Sequence, residues 1–173
     1  NSIDSFIIKN ETHKASEYLN NFARLIRLIL QNSRSNYVNL KDELDALELY
    51  MQMESLRFKD KFNYEMQVDE TIDTNDIDIP PMLMQPYIEN AIWHGLMHKQ
   101  NGKPGKVTLF IQQQGDDLHC IIEDNGIGRE RAMEIRASRP SRGKKSVGMK
   151  ITSDRIAMIN KLYNTNTSVE IID

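Results

Sequence analysis

Three stretches carry side chains whose types and spacing suit chemistry. In "PYIENAIWHG", Pro86 to Gly95, Glu89, Asn90 and His94 lie close together, with Asn90 and His94 four apart, one helical turn. An amide oxygen such as that of Asn90 is a hard donor for Mg²⁺, a metal that usually shares its shell with phosphates and water. In "IIEDNGIG", Ile121 to Gly128, an acid closes an apolar run. The Asp124 carboxylate there suits an exocyclic amine such as that of adenine, and Gly126 and Gly128 let a ligand approach bare backbone. From Arg129 to Gly148 the chain holds Arg129, Arg131, Arg136, Arg139, Arg142, Lys144 and Lys145 against Glu130 and Glu134, although its net charge is −3. A positive, glycine-bounded loop is suitable material for covering phosphates. Gly148 then opens a helix, whose free N–H groups favour anions.

Each stretch alone has a plain structural reading. Asn90 suits a surface or capping amide, and His94 a hydrogen-bonded helix histidine. Asp124-Asn125-Gly126 suits a tight turn, and the basic stretch a solvated loop. Jointly they supply an amide for a metal, an acid for a base, and glycines with a helix end for phosphate, which together make an ATP site. No Walker-type glycine loop occurs, which excludes a P-loop protein. No Cys/His cluster offers zinc a site.

The elements that must position these residues follow from periodicity. The 173 residues, 39% hydrophobic and 27% charged, fit one sizeable globular domain with a helical appendage. The acidic balance argues against a nucleic-acid partner. The single cysteine, Cys120, sits in an apolar run and suits core packing. No apolar run approaches the length needed to cross a bilayer. The chain begins at Asn1 and ends on what reads as an unfinished strand, so a piece of a longer protein is expected.

Tyr18, Leu19, Phe22, Leu25, Ile26 and Ile29 predict an amphipathic helix over 15–31. A second runs from Leu40 to Phe58, with Asn39 as N-cap and Leu40, Leu44, Leu47 and Met51 as its stripe. This helical hairpin is expected either to pack on the domain or to dimerise. "KFNYEMQVD" alternates as a strand. An acidic loop follows, then a helix from about Pro81 or Met82 to His98, which either begins properly or bends at Pro86. "KVTLFIQQ" and "DLHCIIED" form a hairpin across Gln114-Gly115-Asp116. A short helix over 129–137, a basic loop, a helix over 149–163 and a final strand, "TSVEIID", complete the order. The fold class expected is α/β: a two-layer sandwich with a mixed sheet covered by helices on one face and an N-terminal helical hairpin.

"PPMLMQPYIENAIWHGL", "IIEDNGIG" and "SVGMKITSDRI", in that order, resemble the N-box and the two glycine boxes of the LytS-type sensor histidine kinases. "VNLKDELDALELYMQMESLRFKDKF" resembles the helix that leads into their ATP-binding domain. The match spans nearly the whole chain and implies the Bergerat-type (GHKL) ATP-binding fold. Residues 1–58 would be a truncated dimerisation and phosphotransfer region, and residues 59–173 the ATP-binding catalytic domain without its last strand. By this resemblance Asn90 ligates Mg²⁺, and Glu89 and His94 flank it as catalytic neighbours. Asp124 reads the adenine amine, Gly126 and Gly128 flank the adenine pocket, and Gly148, with Lys144 and Lys145, belongs to the ATP lid.

The implied function is transfer of a phosphoryl group from ATP-Mg to a histidine and on to an aspartate of a response regulator. A homodimeric parent, held in a bacterial inner membrane by segments outside this chain, would place this region in the cytoplasm. The family's Pro-His-Phe phosphoacceptor motif is not in the chain, and His13, His94, His98 and His119 do not sit in that context. The chain alone is therefore expected to bind ATP without phosphorylating itself. Ser146 and Ile151 stand where the second glycine box often has Gly and Asn. Two other readings are an ATP hydrolase of the same fold and a non-catalytic nucleotide-gated dimerisation module. The hydrolases place a carboxylate one turn before the N-box Asn, where this chain has Pro86.

Overall fold

The computed structural model describes residues 2–58, 61–99, 103–137 and 147–172. Two helices, α1 (Ser2–Ile8) and α2 (Thr12–Asn32), precede a short strand β1 (Val38–Asn39) and helix α3 (Leu40–Arg57). Strands β2 (Phe62–Val68) and β3 (Asp78–Ile79) lead to helix α4 (Gln85–Asn90), which continues as the π-helical turn α5 (Ala91–Leu96). The hairpin β4 (Gly105–Gln114) and β5 (Asp117–Asp124) follows, then helices α6 (Arg129–Ala137) and α7 (Val147–Tyr163).

The N-terminus of α3 shows why a polar loop precedes a buried helix. Asn39 Oδ1 accepts the Asp42 N–H at 2.8 Å. The Leu40 N–H donates to Ile77 O and the Lys41 N–H to Thr74 O. Three of the donors that a helix start leaves orphaned are thus satisfied, two of them by the acidic loop. Within that loop, Asp69 and Asp73 fold back on the N–H groups of Thr71 and Asn75. The loop also yields an antiparallel pair, Val38 with Ile79 and Asn39 with Asp78, which periodicity did not anticipate.

The main sheet has the order β2-β4-β5, parallel between β2 and β4 and antiparallel between β4 and β5. Its register aligns Tyr64, Met66 and Val68 with Val107, Leu109 and Ile111, and these with Asp124, Ile122 and Cys120. This face lies under the helices. Leu40, Leu44, Leu47 and Met51 of α3, Ile88 of α4, and Ile92 and Leu96 of α5 share one buried core with Phe62, Val107, Leu109 and Ile111. The opposite face is more polar, with a Lys106–Glu65 ion pair at 2.7 Å. This is the two-layer α/β arrangement with a mixed sheet and an N-terminal helical hairpin. The core runs from α3 straight into the sheet.

The hairpin packs through Leu25 of α2 against Ala46, Leu49 and Met53 of α3, flanked by Tyr18, Leu28 and Ile29. Leu19, Phe22, Ile26 and Leu30 remain exposed. The expected stripe on α2 is therefore two stripes, one covered and one open. On α7, Ile156 is buried while Ile151 and Leu162 are exposed.

The final strand is a correction. Residues 165–172 form no regular structure. Asn160 of α7 holds them near the helix, its amide nitrogen donating to Thr167 O and its Oδ1 accepting the Thr167 N–H. A strand needs a partner edge, and an alternating sequence alone does not supply one. Among the described residues β5 has β4 as its sole strand neighbour. Cys120, expected in the core, lies exposed on this edge strand.

Candidate functional site

The site is built where α4 and α5 cross the end of β5. Pro86 stands in the first turn of α4, where its missing N–H costs nothing, so the helix starts at Gln85 rather than bending at Pro86. The Gln85 amide donates to Glu89 Oε1 at 2.9 Å, one turn on. Glu89 faces α3: its charge acts on half-buried Tyr50 and buried Glu54, helping to hold both above their ordinary values, where desolvation is the main cause. Trp93 locks the crossing from the same side. Its indole N–H donates to Tyr50 Oη at 3.3 Å, its ring meets Phe58 edge-on at 5.1 Å, and Arg57 lies over its face at 4.6 Å.

Asn90 is half-buried and His94 exposed. The helical reading placed these two side chains in line. The observed turn is wider: the Met97 N–H reaches Ile92 O, five residues back. Such a turn brings residues five apart into line, so Asn90 stacks towards Gly95 as well as His94. π-turns inside α-helices are frequent at functional sites.

Gly95 is the residue that motif reading passed over. A Cβ built on it would lie 2.6 Å from Asp124 Oδ1, and one built on Gly126 would lie 2.5 Å from the Gly95 backbone. The Ile127 N–H donates to Gly95 O at 3.2 Å. Helix and strand end touch backbone to backbone at Gly126, which only glycine permits, while a Cβ at Gly95 would meet the Asp124 side chain. The signal available in the sequence was a glycine inside a helical pattern, which usually has a packing or functional reason.

Asp124 is the last residue of β5, opposite Val107, on the sheet face that carries the core. Its Oδ1 accepts the Gly126 N–H at 2.8 Å. Asn125 extends the pairing beyond the strand, its Oδ1 accepting the Lys106 N–H and its own N–H donating to Lys106 O. The turn therefore holds an acid on the helix side of the sheet, exposed and within reach of α5. Gly128 has φ +75° and open space where a Cβ would be. The structure thus sets Asp124 and Gly126 against Gly95 at one crossing, with Gly128 just beyond the turn. Asn90 and His94 stand earlier on the crossing helix, His94 next to Gly95, and Glu89 lies on the α3 side.

Gly148 lies in the first turn of α7, which packs on α4. Lys144, Lys145 and Ser146 fall outside the described residues. Among the described residues no group of three His, Cys, Asp or Glu side chains could hold a metal. A metal at Asn90 would need oxygens from a ligand and water.

The profile of the family described as Histidine kinase matches residues 1–62, from α1 to the first residue of β2. "Sensor protein LytS" of Staphylococcus haemolyticus is 30% identical over 130 residues, covering 74% of this chain and 22% of that protein. "Sensor histidine kinase/phosphatase LytS" of Staphylococcus aureus gives the same identity and coverage. The chain thus spans about a fifth of the length of these relatives. No helix among the described residues is long and apolar enough to cross a membrane.

Proposed function

Because the chain belongs with the LytS-type histidine kinases, we propose that its crossing of α5 with β5 binds ATP with Mg²⁺ for transfer of a phosphoryl group to histidine. The observation that carries this reading is Asp124. An acid on the core-facing side of a sheet, at a strand end, with one oxygen tied to its own turn, is poised to accept from an amine. Gly95 and Gly126 leave a cradle at that carboxylate that a Cβ would fill. These residues fit an adenine. The Asn90 amide, with no carboxylate cage around it, fits a magnesium ion whose remaining ligands are phosphate oxygens and water.

ATP-Mg, when bound, supplies the γ-phosphoryl group. The chain's residues position it. Asp124 fixes the base, Asn90 orients the metal, and Glu89 and His94 flank Asn90 on the same helix. Gly148 at the start of α7, with Lys144 and Lys145 of the basic stretch, serves the phosphates, so that positioning and charge neutralisation do most of the work. The histidine acceptor lies in the longer protein, and an aspartate of a response regulator receives the group next. Residues 1–58 form the dimerising region and 59–173 the nucleotide-binding domain, on a Bergerat-type fold. The exposed stripe Leu19, Phe22, Ile26 and Leu30 on α2 fits a second copy of the chain in a homodimer. The longer protein places this domain in the cytoplasm through membrane segments outside the chain.

Calorimetric titration with a non-hydrolysable ATP analogue and Mg²⁺ tests the reading. The chain should bind, Asp124→Asn and Asn90→Ala should each weaken binding about tenfold or more, and both should keep the wild-type melting temperature within a few degrees. A wild-type chain with no affinity for the analogue overturns it.

A further inference from the structure

Glu43 sits in the first turn of α3, where a carboxylate usually faces solvent beside the helix dipole. Here it is 2% exposed. Its Oε2 accepts the Met82 N–H at 2.7 Å and its Oε1 the Met84 N–H at 3.3 Å. Met82 is one of three described non-glycine residues with a left-handed backbone, φ +56°. That conformation is uphill for a methionine and persists only where its surroundings hold it. From the other side, the Arg155 guanidinium of α7 donates to Pro81 O and also acts on the Glu43 charge. Burial raises the Glu43 carboxyl above its ordinary value, while the N–H groups of Met82, Met84 and Leu83, and then Arg155, pull it back. A carboxylate is buried at a cost unless such donors meet it.

Four residues, 81 to 84, thus join three elements: α3 of the helical hairpin, α4 that starts at Gln85, and α7 that carries Gly148. We propose that Glu43 is a positioning residue, through which the helical hairpin sets the geometry of the nucleotide site. The inference rests on the nucleotide reading above and adds how that site is held. A shift of α3 along its axis must carry the Glu43 carboxylate, the Met82 and Met84 amides with it, and so the root of the helix bearing Glu89, Asn90 and Gly95. Arg155 carries the same displacement to α7. Leu49 and Met53 of α3 pack on α2, so the hairpin is the natural origin of such a shift.

The test compares stability with affinity for Mg²⁺ and a non-hydrolysable ATP analogue. The variants are Glu43→Gln, Glu43→Asp and Arg155→Met, with Ile111→Val as a control at the far end of β4. Loss of one acceptor in Glu43→Gln should weaken binding about tenfold, Arg155→Met about threefold, and the shorter carboxylate of Glu43→Asp should restore part of the loss. Ile111→Val, whose melting temperature also falls, should bind within twofold of wild type. Amide hydrogen exchange should speed up in α7 as well as at 82–84 in Glu43→Gln. Should Glu43→Gln fail to fold, Arg155→Met carries the test alone, because it removes a half-buried side chain at the α7 end of the joint and leaves Glu43 itself in place. Wild-type affinity in a folded Glu43→Gln or in Arg155→Met overturns the inference. So does affinity that falls in proportion to melting temperature in Ile111→Val. A wild-type chain without affinity overturns the nucleotide reading itself.

Discussion

Alanine at Gly95 separates what the crossing does for binding from what it does for stability. The new Cβ would stand 2.6 Å from Asp124 Oδ1 and 3.2 Å from its Cγ, inside the 3.4 Å at which ordinary contact begins. The carboxylate is exposed and swings away, giving up the 2.8 Å bond from the Gly126 N–H. Losing a charge-assisted bond at an exposed site costs about 1–2 kcal/mol. Alanine for glycine within a helix returns about 1 kcal/mol. The net change is about 1 kcal/mol or less, some 2–4 °C of melting temperature in a chain of this size. The displaced acceptor no longer meets the adenine amine, and analogue affinity should fall about ten- to hundredfold. In an Asp124→Ala background the obstacle is gone, so Gly95→Ala should raise the melting temperature there. Calorimetry and thermal melts on the four variants of this cycle make the measurement. A Gly95→Ala chain that binds normally, or that loses the same stability with and without the Asp124 carboxylate, refutes the reasoning.

Gly126→Ala should be worse by about 1–3 kcal/mol and should not be relieved by Asp124→Ala, because its Cβ meets the Gly95 backbone, which cannot rotate away; thermal melts of both pairs check this. Burial raises the Glu54 carboxyl above its ordinary 4.5, against the pull of Arg57, and its Oε2 has no hydrogen-bond partner among the described residues. A raised carboxyl contributes stability that is full below pH about 4.5 and lost as pH rises through the raised value. Melts from pH 4.5 to 8 should therefore show Glu54→Gln gaining on wild type as pH rises. Asn39→Ala removes the cap of α3 and should cost about 1 kcal/mol, read by denaturant midpoint. Replacing Phe22 and Ile26 with serine should abolish any self-association seen by sedimentation while leaving the melting temperature within a few degrees, because both side chains are exposed.

Elements whose identity rests on their own side chains were legible in the sequence. The stripe of Leu40, Leu44, Leu47 and Met51, the Asn39 cap, the alternation of Phe62 to Val68 and the Gly115 hairpin all appear where periodicity and turn chemistry put them. What escaped depends on partners remote in sequence. The β1–β3 pair exists because the acidic loop returns to cap α3. The strand expected at the C-terminus did not form because Thr167 is clasped by Asn160 instead of pairing with an edge. Glu43 reads locally as a helix-dipole residue, and only the chain forty residues on makes it a buried acceptor. For the site, residue types were legible and geometry was not. Asp124 and the glycines announce a turn, and the resemblance assigns them, but the close approach of Gly95 follows from a π-turn that no periodicity reveals.

That π-turn has a consequence for tolerance to length change. A π-turn is an α-helix holding one residue more than its hydrogen bonds require. Deleting one residue from 91–94 would let the segment relax to ordinary helix with no backbone bond lost. Because the wider turn absorbs its extra residue, residues after it would keep nearly the direction they have now. Leu96 would stay on the core face and Gly95 beside the Asp124 carboxylate. The same deletion inside the regular helix α3 would instead turn everything after it by about 100° about the axis and take the stripe of Leu44, Leu47 and Met51 off the core. The segment 91–94 is thus the place in the helical layer where the chain can lose a residue without losing register.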